Sequence, residues 1–336
     1  MTEHRPLQVL VCPLKWGLGH ATRCVPIVRE LLKQGFEVTL AASGGPLAFL
    51  KTEFPDLPFI EFPGFSPEYS KRKAMVWHMM KAIPTFLRAI YKEHQRLNEI
   101  QNEQEFDVVI SDNRYGLWNR KAESILVIHQ LTIKAPGVLR WIEPLLWLIN
   151  KLLMINFNQV WVPDSEGADN LSGDLSHKFP LNKKIRFIGP LSRFTVLSNA
   201  NQSEKKDGIL AIVSGPEPQR SIFQNLLEKQ LSTLDTKSTL ICGNPSSKEE
   251  VRKTGNLTVF PHLDSDSLFR KMQETSLVIS RSGYSTLMDM AVVGGKALFI
   301  PTPGQTEQEY LARLHQKSGK THYRNQNETD LEKDIP

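Results

Sequence analysis

The chain has 336 residues, a hydrophobic fraction of 40%, a charged fraction of 23% and a formal net charge of +5. These values describe a folded protein long enough for two ordinary domains, and they exclude a disordered or low-complexity chain. The three cysteines, Cys12, Cys24 and Cys242, lack paired-ligand spacing, so neither a zinc site nor a disulfide framework is expected and the thiols read as reduced.

The first apolar run is too short for a signal peptide and reads as a buried strand, Leu7–Cys12. A glycine-rich turn follows, then a helix from about Ala21 to Gln34 with Gly35 at its C-terminal cap. The second strand is Glu37–Ala42, and others fit at Pro58–Phe62, Asp107–Ser111, Ser124–Ile128, Gln159–Pro163 and Ile185–Ile188. Between Lys71 and Arg96 stand seven Lys/Arg against one acid, Glu93, interleaved with Met75, Trp77, Met79, Met80, Ile83, Phe86 and Leu87. That composition suits a solvated basic face or a helix lying on an anionic membrane surface. The stretch Val138–Phe157 is mostly apolar with a narrow polar stripe at Arg140, Glu143, Asn150 and Lys151, and reads first as a core helix. No run of about 18 uncharged apolar residues exists, so nothing is expected to span a bilayer. The expected location is cytoplasmic, peripheral at the inner face of the membrane.

Thr195–Asp207 is polar and turn-rich, a linker between a first domain over 1–194 and a second over 208–336. The β-α pattern then restarts: Gly208–Val213, a helix near Ser221–Leu231, and strands at Ser238–Cys242, Leu257–Phe260, Leu277–Ser280 and Ala297–Pro301. Two tandem α/β series imply two doubly wound parallel sheets with ligands at the carboxyl ends of the strands, in a cleft between similar domains. After Gln308 only 28 residues remain, and they are polar; no final helix crossing back is expected.

Three segments follow strands and open helices. In "KWGLGHATR", Gly17 and Gly19 shape a turn whose amides can receive negative charge or a reacting oxygen, and His20 can take a proton near neutral pH. A tight turn with a capping histidine gives the same string. Thr22 breaks the G-x-G-x-x-G pattern, which disfavours a dinucleotide cofactor. In "VISRSGYSTLMDM", Arg281, Ser282 and Gly283 form a turn and Ser285 and Thr286 begin a helix, a place for a diphosphate, with Asp289 able to accept from a ribose. The plain alternative is a serine N-cap with a solvated Asp289. In "PTPGQTEQEY", Gln305, Thr306, Glu307, Gln308 and Glu309 offer donors and acceptors for a polyhydroxylated sugar, though any polar loop entering a helix reads alike.

The run "RSGYSTLMDMAVVGGKALFIPTPGQTEQEY" resembles the donor-binding signature of glycosyltransferase family 28, and within it the branch that adds N-acetylglucosamine in the lipid II pathway. "GLGH", "IHQ" (with His129 and Gln130) and "IGPLSR" resemble further family turns. "VSGPEPQR", with Ser214 and Gly215, resembles a second glycine-rich turn, but Pro216 and Pro218 replace the small residues usual there. The resemblance implies the GT-B fold of two Rossmann-like domains and a nucleoside-diphosphate sugar donor, UDP-N-acetylglucosamine-like. It implies inversion, with no bound metal and no cofactor. By the same resemblance Thr286 touches the diphosphate, Asp289 the ribose, Gln308 the sugar hydroxyls, Arg193 the phosphate charge, and the backbone at Phe260–His262 the base. His20 is the first choice for the acceptor-side base and Asp112, at a strand end, the second. A lipid-linked acceptor fits the basic segment. Two other classes stay open: a UDP-sugar 2-epimerase of the same fold, using carboxylates such as Glu307, Glu309 and Asp112, and a non-catalytic nucleotide-sugar binding protein. Nucleic acid is disfavoured, because the basic segment carries no recognised binding motif.

Overall fold

The computed structural model describes residues 5–64, 75–135, 137–180, 182–197, 207–245, 247, 249–317, 319 and 321–335, with backbone only for 75–83 and 138. The chain divides into two compact units, Met1–Trp16 with His20–Leu191, and Gly17–Gly19 with Ser192–Pro336.

Among the described residues the first unit holds seven strands: β1 (Gln8–Pro13), β2 (Glu37–Ala42), β3 (Phe59–Glu61), β4 (Val108–Asp112), β5 (Glu123–Val127), β6 (Gln159–Val162) and β7 (Ile185–Phe187). They pair in parallel in the order β3-β2-β1-β4-β5-β6-β7. Short aliphatic runs such as Val9–Cys12 are buried throughout, as strands covered on both faces must be. The helices are α1 (Gly19–Lys33), α2 (Gly44–Glu53), α3 (Met75–Glu103), α4 (Glu143–Leu153) and the one-turn α5 (Asp174–His177). The strand order reverses between β1 and β4, where Pro13 pairs with Asp112. A sheet opens a crevice at such a reversal, and both the turn after β1 and Asp112 sit on it.

The second unit repeats the plan with β8 (Ile209–Ile212), β9 (Ser238–Ile241), β10 (Arg252–Thr254), β11 (Leu257–Phe260), β12 (Leu277–Ser280), β13 (Lys296–Phe299) and β14 (Thr321–Tyr323). Its order is β10-β11-β9-β8-β12-β13-β14, parallel except for the β10–β11 hairpin. Helices α6 (Gln219–Leu231), α7 (Ser265–Glu274), α8 (Tyr284–Val293), α9 (Thr306–Gln316) and α10 (Leu331–Asp334) complete it. Here the reversal lies between β8 and β12, which brings the turns following both strands to one edge.

The structure adds detail to two of these readings and corrects another. The polar tail carries β14, parallel to β13, and α10, whose Leu331 is buried in the core with Phe223, Leu227 and Leu231 of α6. In α3, the basic segment's only acid turns inward: Glu93 accepts from Arg114 Nε at 3.0 Å, both side chains buried, while Leu97 and Ile100 join the β1–β4 core. Residues 71–74 of that segment lie outside the described residues, as do 198–206 of the expected linker. The flanking Phe194 is buried against Phe269 of α7, ring centroids 5.4 Å apart.

The correction concerns α4, which is not a core helix in the sense expected. Two of its polar side chains, Glu143 and Asn150, point inward. Glu143 accepts from Lys178 Nζ at 2.5 Å and from the Ala135 amide at 3.2 Å. Asn150 donates to the carbonyls of Gln130 and Leu131 and accepts from the Tyr115 hydroxyl at 2.6 Å. Leu145, Leu148, Ile149 and Leu152 are exposed. Buried polar groups with full sets of partners anchor the helix as firmly as apolar ones would, so periodicity alone misassigns the faces.

Candidate active site

In the first unit the turn after β1 delivers His20 to the crevice, and Asp112 at the end of β4 meets it. Asp112 Oδ1 lies 3.0 Å from His20 Nδ1. Arg23, one turn along α1, donates from Nε to Asp112 Oδ2 at 2.5 Å and from Nη2 to Oδ1. The carboxylate is fully buried and the guanidinium 1% exposed, whereas His20 keeps 13% exposure. Arg23 Nη1 also donates to His129 Nδ1 at 2.8 Å, so His129 carries its proton on Nε2. The Cys24 thiol completes the shell of Asp112 at 3.7 Å. Three side chains of α1 thus converge on one buried anion at the end of β4, and His129, from the segment after β5, holds the guanidinium from the other side.

The electrostatics follow from that shell. Burial by itself raises the carboxyl pKa of Asp112, but Arg23 and then His20 outweigh it and hold the group below its ordinary range. Burial lowers the imidazole of His20, Asp112 pulls it back, and Arg23 and His129 push it down again, leaving it below 6.5. His20 is therefore neutral at neutral pH. Arg23 Nη2 also stands 3.0 Å from His20 Nδ1, but the Asp112 carboxylate at the same distance can only accept, and a bare Nδ1 would face it lone pair to lone pair. Nδ1–H therefore donates to Asp112, and Nε2 is left as an acceptor. Asp112 itself is too enclosed and too strongly paired to take a proton from a substrate. It orients His20.

In the second unit α8 starts directly after the β12 turn. Its N-cap, Gly283, supplies no side-chain cap, so the first-turn amides are not covered from that position. Ser285 and Thr286 lie in this first turn and are half-buried. The neighbouring side chains serve the fold: Ser282 is buried and donates to the Gln308 carbonyl at 2.8 Å, tying the α8 start to α9. Arg281 points into the core, not toward a ligand at the turn. It donates to the Ile300 carbonyl at 2.9 Å and to Gln326 Oε1 at 2.6 Å, with its guanidinium 3.8 Å over the Phe223 ring. Burial lowers its pKa to about 9.

Asp289 is likewise engaged within the protein. Ser192 Oγ donates to Oδ1 at 2.7 Å and Arg193 Nε lies 3.5 Å from Oδ2. Burial raises its carboxyl pKa, against the pull of Arg193 and Ser192. A ribose contact at Asp289 therefore has to share the carboxylate with Arg193. The carbonyls of Phe260 and Pro261 accept from the amides of Cys242 and Asn244, both at 2.9 Å, which leaves the His262 segment as the part of that loop not used by the sheet. Burial and the nearby Arg193 push the His262 imidazole down to about 4, so it is neutral.

The turn after β13 is built by α9. Gln305 caps the helix, accepting from the Gln308 amide at 2.6 Å. Gln308 Oε1 accepts from the Thr302 amide at 2.8 Å, which fixes the side-chain amide so that its NH₂ points the other way. Gly304 donates to Glu309 at 3.0 Å, while Thr306 and Glu307 lie half-buried in the first turn. The turn after β8 is different. Ser214 and Gly215 are present, with Gly215 at φ 104°, but Glu217 accepts from the Ser221 amide at 3.2 Å and from Arg220 Nε at 2.9 Å. A carboxylate thus caps the start of α6.

Sequence reasoning missed Arg23 and Ser192. The signals were present: Arg23 follows His20 at the i, i+3 helical spacing, and Ser192 precedes Arg193 in "IGPLSR".

Residues 210–335 match the glycosyltransferase family 28 C-terminal domain. An uncharacterised glycosyltransferase of Methanosarcina acetivorans is 24% identical over 322 residues, covering 90% of this chain and 80% of the relative. The UDP-N-acetylglucosamine–N-acetylmuramyl-(pentapeptide) pyrophosphoryl-undecaprenol N-acetylglucosamine transferase of Buchnera aphidicola is 29% identical over 139 residues, covering 39% of this chain and 37% of the relative. Among solved structures, the glycotransferase of kitacinnamycin superposes with a TM-score of 0.60 at 15% identity, covering 96% of this chain and 87% of that one. Two doubly wound sheets with these likenesses define a glycosyltransferase of the GT-B fold. More particularly, the match to the glycosyltransferase family 28 C-terminal domain falls on its second unit, over residues 210–335.

Proposed function

We propose that the enzyme moves a hexose or N-acetylhexosamine from a nucleoside-diphosphate sugar, UDP-N-acetylglucosamine-like, to a hydroxyl of a lipid-linked acceptor. In this reading the acceptor oxygen attacks the anomeric carbon, His20 Nε2 takes the hydroxyl proton, and the bond to the diphosphate breaks with its electron pair leaving on phosphate oxygen. The configuration inverts, because one displacement occurs on the face opposite the leaving group. The developing charge falls on the first-turn amides of α8, on Thr286 and Ser285, and on Arg193, so fixed dipoles and a guanidinium serve where other enzymes use a metal. Gln308 donates to a sugar hydroxyl and Asp112 keeps His20 in the accepting tautomer. Location at the inner face of a membrane follows from the lipid-linked acceptor.

The observation that carries transfer over epimerisation is the His20–Asp112 pair: a neutral, oriented imidazole is a base for an acceptor hydroxyl. The test is thermal unfolding with a panel of UDP-, GDP- and dTDP-sugars. A UDP-sugar at 100 times its dissociation constant should stabilise by about 2.7 kcal/mol. If no nucleotide sugar raises the transition, the reading fails. If UDP-sugar is interconverted without any acceptor, the epimerase reading replaces it.

A further inference from the structure

Helix α4 and the turn before it present an apolar stripe to solvent. Trp141, Leu145, Leu148, Ile149, Leu152 and Ile155 are each between 45% and 76% exposed. Their spacing of 4, 3, 1, 3 and 3 residues is that of one helical face. Single exposed leucines need no explanation, but six on one stripe do. The inward face is held by the hydrogen bonds of Glu143 and Asn150, so the helix cannot roll to bury the stripe without losing them.

The surrounding charge identifies what covers the stripe. Arg140, Lys151 and Lys183 are exposed beside it, and Lys184 donates to the carbonyls of Ile155 and Phe157 just past the helix end. The segment from Gly137 to Asn158 contains one acid, Glu143, and that is buried against Lys178. Tyr115 adds α3 to the same neighbourhood: its ring meets Phe86 edge-on at 6.1 Å while its hydroxyl bonds Asn150 of α4. On α3, Leu87 and Tyr91 are exposed together with Arg88 and Lys92. An apolar face flanked by cations, with no exposed acid between Gly137 and Asn158, matches an anionic lipid surface. A second copy would set like charges against each other. No helix among the described residues is long and apolar enough to cross a membrane, so the contact is one of lying on the surface.

We propose that the exposed face of α4, flanked by the basic residues of α3, docks the first unit onto anionic membrane surface, its leucines and Trp141 entering the headgroup boundary. This deepens the lipid-linked acceptor reading and rests on it only for its purpose, since docking requires no transfer. The experiment is co-sedimentation of the full chain with vesicles of phosphatidylcholine alone and with an equal part of phosphatidylglycerol. A Leu148→Glu/Leu152→Glu variant runs in parallel. The wild type should bind the anionic vesicles, lose binding in high salt and show a blue shift of tryptophan fluorescence. The variant should bind about tenfold less or weaker still, with its thermal transition and its response to UDP-sugar unchanged. Absence of binding by the wild type, or equal binding by the variant, overturns the proposal. So does a dimer in sedimentation that the same substitutions break, because the stripe then belongs to a second copy. Donor-induced stabilisation is read on the same samples, so loss of vesicle binding with donor binding intact rejects the docking face and leaves the transferase reading standing.

Discussion

Replacing Arg23 by Met is expected to destabilise the first unit by about 3–5 kcal/mol at neutral pH, read as a fall in the urea midpoint. The volume is nearly kept, so packing changes little; what is removed is the counter-charge of a fully buried carboxylate. The pH dependence gives the effect its signature. In the wild type the Asp112 carboxyl sits below its unfolded value, so the pair's stabilisation is complete above the ordinary carboxylate range and disappears as pH falls through the lower folded value. In the variant burial is opposed by His20 alone, and the carboxyl moves up. The variant's deficit should therefore be greatest at neutral pH and shrink on mild acidification, as Asp112 takes a proton and ceases to be an unpaired charge. A second substitution, Arg23→Met with Asp112→Leu, should recover most of the loss, because two apolar side chains in place of a buried pair are close to neutral. A deficit that does not change with pH, or a double variant no better than the single, would show that the ion pair is not what holds this region.

What the sequence makes legible is local. A glycine or serine turn between an aliphatic strand and a helix is written in consecutive residues, which is why neighbouring residues alone place the turns at Gly17–Gly19 and Arg281–Gly283. The partners of those turns are not legible, because they come from distant chain. Asp112 joins Arg23 across 89 residues, and Ser192 joins Asp289 across 97. The first of these pairs meets only because β1 and β4 are adjacent at the strand reversal. Edge strands escape for a different reason: β10 reads Arg-Lys-Thr and β14 Thr-His-Tyr, and neither carries the apolar run that betrays a strand covered on both faces. Helix α4 shows the limit of periodicity. Its two faces differ clearly, but the pattern does not say which one turns inward when the polar face finds partners for every hydrogen bond.

Removing the imidazole itself should act on chemistry and not on stability. His20→Ala is expected to lower kcat by about 100- to 10,000-fold, with the stabilisation by donor unchanged, since a positioned base contributes that much and His20 belongs to the unit that the donor reading leaves free. The pH profile separates a base from a mere contact. Activity requires neutral His20, so in the wild type it should be flat through neutral pH and fall only on the acid side, below the ordinary imidazole value, because burial has lowered the group. Asp112→Asn removes the anion that pulls His20 upward, so the acid limb should move to still lower pH. The same change should cost kcat, because an amide can pair with either tautomer and no longer secures the one with Nε2 bare. A base that is weaker as well as less well oriented abstracts the acceptor proton more slowly, even though more of it is neutral at any pH. The two effects have opposite signs on an acid-side assay, and measuring both tells orientation from simple ionisation. If His20→Ala keeps the wild-type rate and profile, proton removal is done elsewhere, and the convergence on Asp112 is a structural knot.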